Sequence, residues 1–417
     1  MAREGFLNFK PINKPSWRER DIRYTCVPTV NKMMKDIVKY HAMWERKKEK
    51  SGKNSFAEEK REMVLEFLFR VQQGECIGLD DQGTFEEVYN TEMKPFEKRG
   101  CKRDRSESMK DSSDKKIRKE SLSKELVNEQ ASIEQVNEQD STEQVNEQES
   151  LPNSLEAEDY ILENSTDKDN SEDNKKKETI NLLRGYWHLK NELKKFKDEE
   201  QSDFFGEIEV ETCIQKCHEI LMHDLIDDKT NKTAPGKFSV LPRSTSFAGQ
   251  EFHYPSYATE EIAYKAVDTL VLEYNKMVVA ISKIENKREK LECFFKCASV
   301  LLFGFLTLHP FSDGNGRLAR LLCSNCLKLF CPFPTAIYNV FSPSNRDDYL
   351  TALVNTRHGL EISSDQIKYV DDATKEAELI LEQNPKELCS LIIESNWFTW
   401  RQFLHKIGMD IKLLNLK

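Results

Sequence analysis

The chain has 417 residues, enough for two or three domains, with 38% hydrophobic and 32% charged residues and a net charge of −10. That acidic balance argues against a general nucleic-acid binder, which would present a basic face. No apolar stretch follows Met1, so no secretory signal peptide is expected, and the longest apolar run, Ala298 to Leu308, covers about half a bilayer span and reads as a buried helix. Eleven cysteines without compact spacing predict free thiols in a reducing compartment, the cytoplasm or else the nucleus.

Taken in chain order, Val30, Met33, Met34, Ile37, Val38, His41 and Trp44 lie at helical spacing with one apolar face. Ser55 and Glu58 form a capping-box pair ahead of a second helix carrying Met63, Val64, Phe67, Leu68 and Val71, and Gly74 and Gly78 close that region. Residues 15–90 are therefore expected to form a small helical region, with no chemistry of its own in evidence. Residues 97–178 change character. They carry a Lys/Arg/Ser/Asp-rich start, the tetrapeptide VNEQ at 127, 136 and 145, and an almost wholly polar stretch from Asp159 to Lys177. Such a segment has too few apolar side chains to offset its ordering entropy, so a disordered linker is expected, its basic part solvated rather than a nuclear-localisation signal.

Apolar periodicity returns with Leu182, Tyr186, Leu189, Leu193 and Phe196, and again with Val210, Ile214, Cys217, Ile220 and Leu221. Between 236 and 254, Gly236, Pro242, Ser244, Thr245, Ser246 and Gly249 predict a β-hairpin or an ordered loop. Helices are expected at 260–285, 291–308, 317–330, 345–357, 374–383 and 386–406. The stripe of Trp397, Trp400, Phe403 and Leu404 reads as packing. So do the cysteine pairs Cys213/Cys217, Cys293/Cys297 and Cys323/Cys326, since no second pair stands at metal spacing. His218 and His223 likewise lack a third nearby ligand.

The run His309 to Arg320, HPFSDGNGRLAR, is different in kind. Proline at 310 ends the apolar helix before it, and a helix resumes at Arg317. A Gly-rich loop leading into a helix N-terminus presents successive backbone N–H groups and the positive end of the helix dipole to an anion. Gly314 and Gly316 let a phosphate approach the backbone. Asp313 supplies a carboxylate of the kind Mg2+ takes beside phosphate oxygens. Arg317 and Arg320 lie three apart on one side of the helix, with planar donors for phosphate. His309 is suited to accept a proton near neutral pH. Singly these features are ordinary; together they point to a hydroxyl attacking phosphorus.

This run closely resembles the signature of the Fic family (filamentation induced by cAMP), His-x-Phe-x-Asp/Glu-Gly-Asn-Gly-Arg-x-x-Arg, at every fixed position. Supporting resemblance extends from Gly206 to Arg357, through CIQKCHEILM, APGKFS, HYPSYATEEI and NRDDYLTAL. The resemblance implies a mostly α fold, a helical core over 179–370 carrying one β-hairpin flap, with helices 371–417 packed on it. It also implies transfer of AMP from ATP to a Ser, Thr or Tyr hydroxyl of an intracellular target protein, with release of pyrophosphate. His309 would be the base, Asp313 the Mg2+ ligand, and Gly314, Asn315 and Gly316 the phosphate cradle. Arg317 and Arg320 would contact the phosphates, and Phe311 would anchor the loop. The target would bind through the flap at 236–254, without nucleic acid or membrane, and a homodimer is left open. Two departures bear on target choice: the flap is several residues long, and Ser239 stands where arginine is common.

Many members of the family carry a restraining helix, Ser/Thr-x-x-x-Glu-Gly/Asn, whose glutamate pairs with the second signature arginine. No complete copy is present. Glu163 has the following Asn164, Glu158 has the preceding Ser154, and Glu394 has the preceding Ser390. These three are the candidate autoinhibitory residues. De-adenylylation or transfer of a related phosphate-linked group at the same site is the first alternative activity. A non-catalytic ATP-binding module is the second, and intact His309 and Asp313 argue against it.

Overall fold

The computed structural model describes residues 7–20, 22–51, 55–99, 172–195, 206–225, 233–338, 342–362 and 365–411. Most of the expected linker, including the VNEQ repeats, Glu158 and Glu163, lies outside them, as does Phe196. Residues Met1–Tyr89 and Asn170–Lys417 make one unit, and Asn90–Asp169 a second.

The N-terminal helices are α1 (Val30–Ser51), α2 (Ala57–Glu75) and α3 (Gln82–Arg99). Then follow α4 (Glu172–Lys195), a π-helical stretch Val210–Gln215 continuing into α5 (Lys216–Leu221), and the hairpin strands β1 (Ser244–Phe247) and β2 (Gln250–His253). The remaining helices are α6 (Glu260–Ser282), α7 (Lys287–Leu308), α8 (Asn315–Leu327), α9 (Arg346–Arg357), α10 (Val370–Leu381) and α11 (Lys386–Lys406). The fold is mostly α with one two-stranded antiparallel sheet, in the register Ser244 to His253 through Phe247 to Gln250.

Helix α7 is the axis of this arrangement. Its start is fixed by Asn286, whose side chain accepts from the backbone N–H groups of Arg288 and Glu289. From Phe294 to Leu308 it is predominantly apolar and every residue but Leu306 is buried, as in a helix surrounded by others. By length and composition it could cross a bilayer, yet 83% of its most apolar window is buried within the fold. It packs against α1, α6, α8, α10 and α11. Helices α1 and α2 are not a separate layer: α1 packs on α11 and α7, and α2 on α8, α4 and α11.

Three local expectations are corrected. Ser55 does not cap α2. Phe56 is the N-cap residue, in a left-handed conformation (φ 72°), and the Ser55 hydroxyl donates back to the Ser51 carbonyl. Gly74 and Gly78 do not end the N-terminal region, because α3 follows at Gln82. Polar residues 172–178, expected in the linker, already belong to α4. Glu172 and Asp173 sit in its first turn, where they oppose the helix dipole, and the apolar face beginning at Thr179 carries the helix into the core. The hairpin expected in 236–254 is present. Ala248 (φ 51°) and Gly249 (φ 74°) form its two-residue turn, with the paired positive φ values that match strand twist.

The turn after α2 is tied down. Cys76 takes a left-handed conformation (φ 55°), and its N–H bonds to the carbonyls of Gln72 and Gln73. Gln72 is fully buried; its side chain donates to Leu79 O and accepts from Thr179 Oγ1 at 2.8 Å. Gly78 N donates to Glu178 Oε2 at 2.7 Å and Leu79 N to Thr179 Oγ1 at 3.1 Å. The end of α2 is thereby fastened to α4.

Glu394, in α11, is held by the N-terminal segment. Arg18 Nε donates to its Oε2 at 2.6 Å and Trp17 Nε1 to its Oε1 at 3.1 Å, in a pair whose side chains are 8% and 0% exposed. Removing the carboxylate would strand a buried guanidinium, at a cost of about 3–5 kcal/mol. Glu394→Ala is therefore expected to lower the urea midpoint sharply. A variant as stable as the parent would show that this pair does not hold the N-terminal segment to the core.

Candidate active site

The sequence between α7 and α8 folds into a closed loop for identifiable reasons. His309 ends α7 in the left-handed region (φ 46°), an unusual place for a side-chain-bearing residue, with its N–H bonded to Phe305 O at 3.0 Å. Phe311 is fully buried beneath it. The side chain of Asn315 clasps the Phe311 backbone, accepting from its N–H at 3.0 Å and donating to its carbonyl at 2.7 Å. Asn315 is thus spent on closing the loop, and its contribution to a cradle is its backbone N–H. With Gly314 as the N-cap residue, the N–H groups of Asn315, Gly316 and Arg317 have no partner within α8. A Cβ at Gly314, already at φ 73°, would stand 2.8 Å from Met222 Sδ, so the close approach requires glycine.

His218, set aside as structural in the sequence, joins this loop to the flap. Its ring lies parallel to Phe311, 3.6 Å away between centroids. Its Nδ1 accepts the Gly236 N–H at 2.9 Å, so Nε2 carries the proton and donates to the Asp313 carbonyl at 3.0 Å. Burial, with Arg317 adding to it, pushes its pKa down to about 4. Ser239 is fully buried, and its N–H bonds to Pro310 O at 2.8 Å, a second tie between flap and loop. Arg243, also unremarked in the sequence, spans the base of the flap, donating to Ser239 O at 2.8 Å and Pro255 O at 2.7 Å.

The His309 ring stacks under Tyr254, the residue after β2, at 3.9 Å and 14° between planes. The Arg357 guanidinium also lies over the ring of that tyrosine, 5.2 Å from its centroid. Burial, reinforced by Arg243 and Arg357 and partly offset by a hydrogen bond with the Leu306 backbone, pushes the His309 pKa down to about 3, so the ring is neutral. Asp313 accepts from Gly314 N at 2.6 Å and faces Arg317 Nη2 at 3.5 Å, its side chain 39% exposed at the loop mouth. Arg317 is buried, and its Nε and Nη1 have no partner among the described residues. Buried guanidinium donors without acceptors fit an anion, and a part-exposed carboxylate beside them fits Mg2+ held jointly with phosphate oxygens. No cluster of three metal-binding side chains occurs among the described residues, so an ion at Asp313 would take most of its ligands from a bound phosphate or water.

Arg320 does have a partner, and it is none of the three glutamates expected from the sequence. Its guanidinium forms an ion pair with Glu75, the last residue of α2. The Glu75 carboxylate also lies over Gly316: a Cβ at that glycine would be 2.5 Å from both Glu75 oxygens. Glu394 is turned away and committed to Arg18 and Trp17; it sits on a helix face that packs against the N-terminal segment. Glu158 and Glu163 lie outside the described residues. Glu75 escaped the pattern because Val71 stands where Ser or Thr is expected and Cys76 where Gly or Asn is expected.

An anion cradle, a buried histidine and the end of a hairpin thus meet at one place on a helical scaffold. Residues 211–327 match the model of the Fic/DOC family, and the chain carries a Fic domain. It is 32% identical over 110 residues to a Fido domain-containing protein of Dictyostelium discoideum, covering 26% of this chain and 63% of that protein. It is also 29% identical over 161 residues to the ribonucleoside-diphosphate reductase small chain of Ostreid herpesvirus 1, covering 39% of this chain and 25% of that protein. The chain thus spans less than two thirds of either relative. Among solved structures it overlaps a Fic domain-containing signalling protein from Bacteroides thetaiotaomicron (18% identity, TM-score 0.39, 57% of this chain and 75% of that one) and residues 134–508 of Fic-1 from C. elegans (13%, 0.34, 55% and 52%). The domain assignment rests on the family model and the signature rather than on these partial overlaps.

Both site histidines bind fewer protons folded than unfolded, where their pKa lies at about 6.5. Their contribution to stability is present above that pH and is lost as pH falls towards the folded values of about 4 and about 3. The melting temperature is expected to drop between pH 6.5 and 4, and His218→Asn should make that drop shallower. An unchanged slope would place the acid sensitivity elsewhere.

Proposed function

We propose that the chain is a Fic-type transferase that moves AMP from ATP to a Ser, Thr or Tyr hydroxyl of a target protein, releasing pyrophosphate. The observation that carries this reading is the juxtaposition of His309, neutral and able to accept a proton, with the N–H cradle and buried guanidinium groups of the first turns of α8. His309 takes the proton from the target hydroxyl. The oxygen then bonds to the α-phosphorus while the bond to the β-phosphate bridging oxygen breaks. Arg317 and the N–H groups of Asn315 and Gly316 stabilise the charge passing to pyrophosphate. Mg2+ at Asp313 would add Lewis-acid stabilisation of the same phosphates. Polyphosphate charge near His309 opposes the effect of Arg243 and Arg357, raising the base towards its working range.

The flap supports a protein acceptor. The exposed strands β1 and β2 offer backbone groups to which an extended segment can add as a third strand. Glu75 acts as the restraint, because its carboxylate occupies the guanidinium and the space over Gly316 that a terminal phosphate needs. A glutamate in this place also supports a second reading, hydrolytic removal of AMP from a modified target at the same site.

Incubation with ATP labelled on the α-phosphate and cell extract is expected to label protein. His309→Ala should reduce labelling by roughly 10²-fold or more, the usual contribution of a general base. Equal labelling by both proteins would overturn the mechanism, and label arriving only from the γ-phosphate would indicate a kinase instead. Glu75→Gly is expected to raise labelling about tenfold or more, since hydrogen bonds to charged groups contribute about 1.5–3 kcal/mol. No rise would remove the restraint. Release of AMP from labelled target by the parent protein, lost in Glu75→Gly, would establish the reverse reaction.

A further inference from the structure

A cavity of about 540 Å³, separate from the signature loop, opens beside the last turn of α2. Its walls include three arginines, Arg20, Arg70 and Arg346, together with Tyr338, Ser344 and Asn345, and among the described lining residues none is a carboxylate. Its volume falls in the range of small-molecule sites. Two buried polar atoms on its walls, Arg70 Nε and Tyr338 Oη, have no hydrogen-bond partner among the described residues. Arg70 Nη1 donates to Gln73 Oε1 at 2.5 Å, and Arg20 is anchored by Trp17 O and Asp348. Arg346, the first residue of α9, points Nε at the carbonyl of Gly74 at 3.3 Å. Asp348 pairs with Arg20 and Glu66 lies within electrostatic reach of Arg70, so three guanidinium groups face two carboxylates; the remaining positive charge and the unpaired Arg70 Nε make a composition that selects a phosphate-bearing anion.

The position of this cavity gives the anion a consequence. Gly74 precedes Glu75, and a Cβ at Gly74 would overlap Tyr338 Oη, so the last turn of α2 is wedged between this cavity and Arg320. We propose that the cavity binds a small phosphate-bearing metabolite and that its occupancy releases Glu75 from Arg320. The ligand draws Arg346 away from the Gly74 carbonyl, a long hydrogen bond to the final turn on its cavity side, and the Gly74–Glu75 end of this turn shifts, carrying Glu75 out of the anion cradle while the ties of Gln72 and Cys76 persist. The binding site stands on the cavity alone; its effect on activity rests on the reading of Glu75 as the restraint.

Calorimetry with pyrophosphate as probe, at fixed ionic strength and with the full chain, tests the site. Arg317→Ala disables the cradle, so binding that survives in this variant belongs elsewhere. That surviving binding is expected to weaken about tenfold or more in Arg70→Gln and in Arg346→Gln, as loss of a charge-assisted contact implies, and to be partly restored in Arg70→Lys. Binding abolished by Arg317→Ala alone, or unchanged in both glutamine variants, would overturn the site. For the coupling, inorganic phosphate should raise α-phosphate labelling severalfold in the parent and leave Glu75→Gly unaffected. An equal rise in Glu75→Gly, or none in the parent, would overturn it. Should Glu75→Gly label no better than the parent, the restraint fails, and the calorimetry still decides the cavity.

Discussion

Two guanidinium groups buried at the start of α8 impose the constraint from which much else follows. Arg317 and Arg320 are 4% and 5% exposed, and a cation removed from water must find a counter-charge or be destabilising by several kcal/mol. Glu75 supplies it for Arg320, and Asp313 faces Arg317 at the edge of hydrogen-bonding distance. The remaining Arg317 donors are left for a ligand. A helix from the N-terminal region must therefore end where α8 begins, which accounts for α1 and α2 being packed into the core, and for the turn after Glu75 being fastened to α4 through Gln72 and Thr179.

The same economy of contacts links base and flap. His218 touches three things at once: the Phe311 ring, the Asp313 carbonyl and the Gly236 N–H. A flap that shifted on binding a target would move Gly236 and Tyr254 together, one joined to the loop and the other stacked on His309. The flap and the His309 ring are in this way mechanically connected through Tyr254 and His218.

What the sequence made legible was local. The loop chemistry of HPFSDGNGRLAR, the helix boundaries around it and the hairpin turn at Ala248-Gly249 depend on short-range preferences, and the structure bears out the helices and the hairpin. What it hid was pairing at a distance. Glu394 fits part of a restraint pattern, but only the fold shows that its apolar helix meets Arg18 rather than Arg320. Glu75 fits neither flank of the pattern, because its placement depends on how α2 lies against α8 and not on the residues beside it. Ser55 and Glu58 satisfy the spacing of a capping box, yet the chain enters α2 through a left-handed Phe56 whose ring packs against Trp44, so tertiary packing overrides the local cap.

How Glu75 can leave Arg320 is limited by the same packing. Phe67, Leu68, Val71 and Gln72 of α2 are all buried, and rotating or sliding the helix would expose them together, at a cost of roughly 1.5–3 kcal/mol for each apolar side chain. The final turn is different. Gly74 carries no side chain, Cys76 is exposed in a conformation that leaves the helix, and the turn's carbonyl at Gly74 is held from outside by Arg346. Parting Glu75 from Arg320 would therefore take a change in one turn and one side chain rather than a movement of the helix. Arg346, which meets that turn, stands on the cavity side of α2, and Arg320 meets it from α8.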